Sequence, residues 1–301
     1  MNGAPLQFHP SPLLAASSID AATDFLRTHA VLAANVAGLI LVVIVLRLKG
    51  VLSVQGLTTV QRDVKAHHPM VWFACAILVW LTMPLAAGAA AELLRISTDP
   101  SSQSAREQAT VLGAGYGLGL AVAVVLTYLL HASAPRAGLF PSVASIVTGV
   151  LLLAMAWPIV TCVGALATWV HATWFGAVPD PVAHPTLKAL IDNKRDPWVL
   201  TQAALAVVAA PILEEILYRG MLQSALVATF GRAWVGVLLT SALFAAAHTV
   251  GQATVPWYAA VALFSLSCCI GLAMERTGRL GVAIGMHVAF NAANVLMALY
   301  R

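Results

Sequence analysis

The sequence predicts an all-α, polytopic membrane protein with about eight transmembrane helices. Three observations predict it. Of 301 residues, 60% are hydrophobic and only 9% are charged, a more apolar balance than a soluble domain needs to fill its core. The apolar residues fall into runs of near-spanning length that lack the strict alternation of a barrel strand. Ionisable residues at membrane depth are rare in the first four runs and concentrate after Trp198.

The first run, residues 31–46, ends at Arg47 and Lys49 and is followed by runs at 70–91, 109–130 and 143–170. The stretch 172–197 is the most polar and proline-rich, with Pro179, Pro181, Pro185, Lys188, Asp192, Lys194, Arg195, Asp196 and Pro197. It divides an N-terminal set of helices, 1–171, from a C-terminal core, 198–301, and reads as a hinge between them. Its middle, 186–193, is expected to form a short interfacial helix with Leu187, Leu190 and Ile191 against lipid. The remaining spans are predicted at 198–217, 234–250, 257–274 and 280–300.

Several function classes find no support. The net charge is +4, but the 16 Lys and Arg are scattered through loops without the basic stripe that nucleic acid binding requires. Cys75, Cys162, Cys268 and Cys269 sit in apolar segments without a Cys-x-x-Cys spacing and are expected to be packing residues. Residues 1–30 lack the basic start and cleavage site of a secretory signal, so the first helix is expected to remain as an anchor of an integral protein of the cell membrane. Trp72, Trp169, Trp198 and Trp257 stand near run ends, where an interfacial belt places them. The loop holding Arg47, Lys49, Arg62 and Lys65 is the densest basic one, although the other loops nearly balance it and leave sidedness open. His67, His68, His131, His171 and His184 lie at run ends or in loops and take no role.

The chemistry gathers in three short patterns. Glu214, Glu215 and Arg219 occur within Pro211-Ile-Leu-Glu-Glu-Ile-Leu-Tyr-Arg-Gly220, where a charged side chain facing lipid would cost about 2.5–3.5 kcal/mol. Glu215 and Arg219 are four apart with the acid first, the order that favours an ion pair on a helix. Glu214 points about 100° away around the axis, has Tyr218 at i+4, and is free to face a cavity. The next run carries Phe244 and His248 on one face with small residues between them. The last carries His287, Asn291 and Asn294 along one stripe, beside a stripe of Gly281, Gly285 and Ala289. A carboxylate, two imidazoles and a carboxamide converging in a membrane cavity have the means to activate a water and stabilise an oxyanion, the two needs of amide hydrolysis.

These residues resemble the motifs of the CAAX-protease and bacteriocin-processing family of intramembrane peptidases. Glu214-Glu215-Ile-Leu-Tyr-Arg219 looks like its Glu-Glu-x-x-x-Arg, Phe244 to His248 its Phe-x-x-x-His, and His287 to Asn291 its His-x-x-x-Asn, in the same order. The resemblance covers roughly residues 198–301. It implies helices enclosing a hydrophilic cavity and an endopeptidase acting on a membrane-associated or lipidated peptide or protein. It further implies that Glu214 and His248 activate the water, that His287 and Asn291 stabilise the oxyanion, and that Glu215 and Arg219 shape the site. Members have been described both as metalloproteases and as glutamate-dependent enzymes. The sequence leaves both open: a divalent metal such as zinc, held by Glu214, His248 and His287, or no cofactor. Two other classes compete, a proton-coupled transporter using the same groups as a relay and a non-catalytic membrane partner or immunity protein. The absence of an internal repeat speaks against the first.

Overall fold

A computed structural model describes residues 12–176, 185–250 and 254–300. The segment before residue 12, Arg301, His184 and the prolines at 179 and 181 therefore lie outside the described residues. The described residues fold into helices joined by short loops, and the protein is an integral, multi-pass membrane protein: among those residues seven helices are long and apolar enough to cross a bilayer.

Helix α1 runs Pro12–Leu48, with Ala30–Leu48 as its spanning part. A short α2, Val54–Thr58, starts at Ser53, whose hydroxyl accepts from the Gly56 amide at 3.0 Å. Helix α3, Pro69–Leu93, begins with Pro at its first turn, where the missing N–H costs nothing. Helices α4, Ala105–Ser133, and α5, Val143–Phe175, each open with a capping box, Ser104 with Glu107 and Ser142 with Ser145. Thus α5 continues four residues, 172–175, into the stretch expected to be a polar hinge.

Helix α6, Pro185–Asp192, is the short helix expected from the sequence, but its apolar face does not meet lipid. Leu190 is fully buried and, with Leu187 and Ile191, packs on Val199, Ala203 and Ala298. Burial against neighbouring helices removes the same apolar surface from water that an interface would, and it also fixes the connection.

Helix α7, Pro197–Phe230, is one continuous helix of 34 residues, where a span ending near 217 was expected. Asp196 caps it by accepting from the Trp198 amide at 2.8 Å, the helix continues through Pro211, and Gly231, whose φ is 65°, ends it. Two π-helical stretches, Leu205–Ala209 and Ile216–Leu222, bracket the glutamate doublet. Helix α8, Ala233–Ala247, is too short to span: 15 residues rise about 22 Å against a hydrocarbon core of about 30 Å. The predicted span 234–250 is corrected to this shorter helix, which has His248 as its C-cap. Helices α9, Trp257–Thr277, and α10, Leu280–Leu299, complete the chain.

The packing order explains how these helices meet. Helix α10 lies along α5, α9 contacts both α5 and α8, α3 pairs with α4, and α7 touches α3, α4 and α10. The small-residue stripe allows the closest of these contacts: a Cβ on Gly285 would collide with the Ile146 carbonyl, and one on Gly149 with the Val282 carbonyl. Trp72, Leu213, Phe244, Leu266, Ile270 and Met286 form the buried centre, while Leu85, Tyr128, Leu151 and many other large apolar residues face outward, as lipid requires.

Candidate active site

The three sequence patterns meet around α7. Pro211 cannot donate a backbone hydrogen bond, and just before it the helix runs in π register, with the Ala210 amide bonded to the Leu205 carbonyl. In that register the next carbonyl, Ala206, is the one Pro211 would have engaged. The Asn291 amide of α10 donates to it at 2.8 Å. A proline, a π turn and an asparagine from another helix thus compose one joint, placed one turn before the glutamates. Single π turns inside α-helices frequently mark functional sites.

Glu215 is fully buried and divides its two oxygens. Arg219 Nε stands 3.2 Å from Oε2, the ion pair expected from the i, i+4 spacing. Arg219 also donates through Nη2 to the Ser267 hydroxyl at 2.7 Å and lies 5.0 Å from the centre of the Phe244 ring. The other oxygen, Oε1, accepts from His287 Nδ1 at 2.7 Å. Glu215 is therefore more than the structural partner of Arg219: it fixes the ring orientation of His287, a contact across 72 positions that no local spacing announces.

With Nδ1 committed, His287 presents Nε2 toward Glu214, 3.8 Å from its Oε2. The glutamate side chain keeps 23% of its surface accessible and that of His287 5%. The doublet splits as its angular separation predicts, one carboxylate enclosed and the other partly accessible. Glu214 also lies within electrostatic reach of Tyr116 on α4 and of Tyr218.

His248 is half-buried, with Nδ1 2.8 Å from the Phe244 carbonyl of its own helix and its ring 4.5 Å from the Phe244 ring. Phe244 in turn meets the His287 ring edge-on at 5.7 Å, so one phenyl ring stands between the two imidazoles. Among the described residues His248 forms no ion pair with either glutamate. Nor does any group of three His, Cys, Asp or Glu side chains stand close enough to hold a metal ion. In this arrangement His248 directs Nδ1 to the carbonyl of its own helix. Asn294, on the same stripe as His287, bonds to the Phe290 carbonyl one turn before it at 2.9 Å.

Sequence reading missed Ser267, Tyr116 and the Ala206 carbonyl. A proline early in an otherwise helical run signals a freed carbonyl, so the last was open to inference. Ser267 looked like any small polar residue in an apolar helix, and Tyr116 like any interior aromatic.

Residues 196–293 match the family model described as Type II CAAX prenyl endopeptidase Rce1-like. The resemblance carried by the three motifs is thus a family match over the C-terminal part of the chain, and it supports an intramembrane protease. No curated protein and no solved structure matches the chain.

Proposed function

We propose that the chain is an endopeptidase that hydrolyses a peptide bond in a membrane-associated or lipidated peptide or protein, with residues 198–301 as its catalytic core and water as the nucleophile. The observation that carries this reading is His287 set between two glutamates at membrane depth, Nδ1 on Glu215 at 2.7 Å and Nε2 3.8 Å from Glu214.

In this reading Glu214, the carboxylate without a buried cation of its own, takes the proton from the attacking water and returns it to the leaving amine nitrogen as the C–N bond breaks. His248, whose Nδ1 is held by the Phe244 carbonyl, turns Nε2 to the same water. The tetrahedral oxyanion forms on the side of His287, which donates through Nε2 once its ring carries a second proton, with Glu215 as the counter-ion at Nδ1. Asn291, anchored on Ala206 by one N–H, directs its other N–H to the oxyanion. Arg219 and Ser267 keep Glu215 in place, so that His287 does not have to be oriented anew at each turnover.

The test uses purified protein in proteoliposomes with a membrane-associated peptide library. Wild type should release fragments and Glu214→Gln, matched for fold by thermal unfolding, should release none. Unchanged turnover in that variant would remove Glu214 as the base.

A further inference from the structure

A second polar cluster lies one turn further along α7 and is not used by the chemistry above. Arg62, from the loop between α2 and α3, is 4% exposed. Its guanidinium pairs with the carboxylate of Glu275 on α9, which is equally enclosed, and donates through Nη1 to the Ser224 hydroxyl at 2.8 Å. Gln223 donates to Glu275 at 2.7 Å and to the Gly271 carbonyl at 3.1 Å. The Ser224 hydroxyl donates to the Gly220 carbonyl at 2.7 Å.

The position of this cluster gives it meaning. The second π stretch ends at Leu222, and the Gln223 amide still bonds five residues back, to the Tyr218 carbonyl. Where π register returns to α register, one carbonyl is passed over. The Ser224 hydroxyl sits against the two carbonyls at that junction, Gly220 at 2.7 Å and Arg219 at 3.5 Å. A helix that lost the extra residue of its π turn would rotate everything on one side of it by about 100°. Arg219, inside this stretch, would then turn from Ser267, and Glu215 from His287. On α9 the partners run in one line: Ser267 for Arg219, Gly271 for Gln223 and Glu275 for Arg62, four residues apart each time.

We infer that Arg62 is a positioning residue for the site: by holding Glu275 and Ser224 together it locks the exit of the π turn, and with it the register in which Glu215 orients His287. This rests on the peptidase reading of that site. The N-terminal helices thereby contribute to the chemistry although every proposed catalytic side chain comes from residues beyond 198.

Arg62→Met alone strands the buried Glu275 carboxylate and is expected to unfold, so the decisive variant is the double substitution Arg62→Met with Glu275→Met. Replacing a buried ion pair by apolar side chains of similar volume is often neutral for stability. The double variant should melt near wild type yet show kcat lowered by up to about 100-fold with KM unchanged, the mark of misplaced groups. Arg62→Lys, which keeps the charge but cannot reach Glu275 and Ser224 together, should fold and show a smaller loss of the same kind. A readout independent of cleavage is the downfield proton resonance of the His287 Nδ1–H···Glu215 bond, assigned by its disappearance in His287→Gln. It should shift or broaden in the double variant. Wild-type kcat and an unshifted resonance in a folded double variant would overturn the inference. If wild type cleaves nothing, the peptidase reading fails, and the resonance alone still decides whether Arg62 sets the geometry.

Discussion

Glu214 and Glu215 are neighbours in sequence, and their replacement by glutamine should have unequal consequences for stability. Glu215 is fully enclosed, stands 3.2 Å from the guanidinium of an equally buried Arg219, and accepts from His287 at 2.7 Å. Glutamine keeps an oxygen for His287 but removes the charge that balances Arg219. Breaking a buried pair by removing one partner costs about 3–5 kcal/mol. Here the Ser267 hydroxyl and the Phe244 ring still attend the guanidinium, which sets the expectation at about 3 kcal/mol, the lower end of that range. Glu214 is partly accessible and its nearest partner is an imidazole nitrogen at 3.8 Å, so Glu214→Gln should cost no more than about 1 kcal/mol. Equilibrium unfolding of the two variants in mixed micelles, followed by tryptophan fluorescence, measures both values. Equal losses, or a larger loss at Glu214, would refute the division of labour between the two carboxylates.

Two further predictions concern the joints that hold the site. Asn291→Ala leaves the Ala206 carbonyl without its donor and should lower stability by about 1–3 kcal/mol in the same unfolding assay; a neutral result would mean that the π turn before Pro211 does not depend on it. Gly285→Ala should cost about 1–3 kcal/mol, because its Cβ would meet the Ile146 backbone, whereas Gly88→Ala on α3, with nothing near its Cβ, should not destabilise; equal behaviour of the two would contradict the close contact of α5 and α10.

The course of the chain was legible where lipid dictates it. Runs such as 109–130 and 143–170 stand out because hydrocarbon tolerates almost nothing else, and the helices capped by Ser104 and Ser142 begin at Ala105 and Val143, four residues before the first run and at the start of the second. Glu214, Glu215 and Arg219 were legible for the converse reason, since charge at such depth has to be used or paired. What escaped depends on contacts between distant positions. That Glu215 reaches His287, that Arg62 reaches Glu275, and that α6 buries Leu190 in protein are consequences of helix packing, which no periodicity encodes. The length of α7 escaped because its polar residues after 217, Arg219, Gln223 and Ser224, resemble the end of a span when their buried partners on α9 and in the Arg62 loop are unseen.

The proposed hydrolysis depends on Glu214 as its base. Its most direct test compares, by mass spectrometry, the membrane-derived peptides released by cells that carry the intact chain and by cells that carry Glu214→Gln at equal abundance. A set of fragments present with the first and missing with the second is the result expected. Identical fragment sets from the two, with both proteins folded, would contradict it.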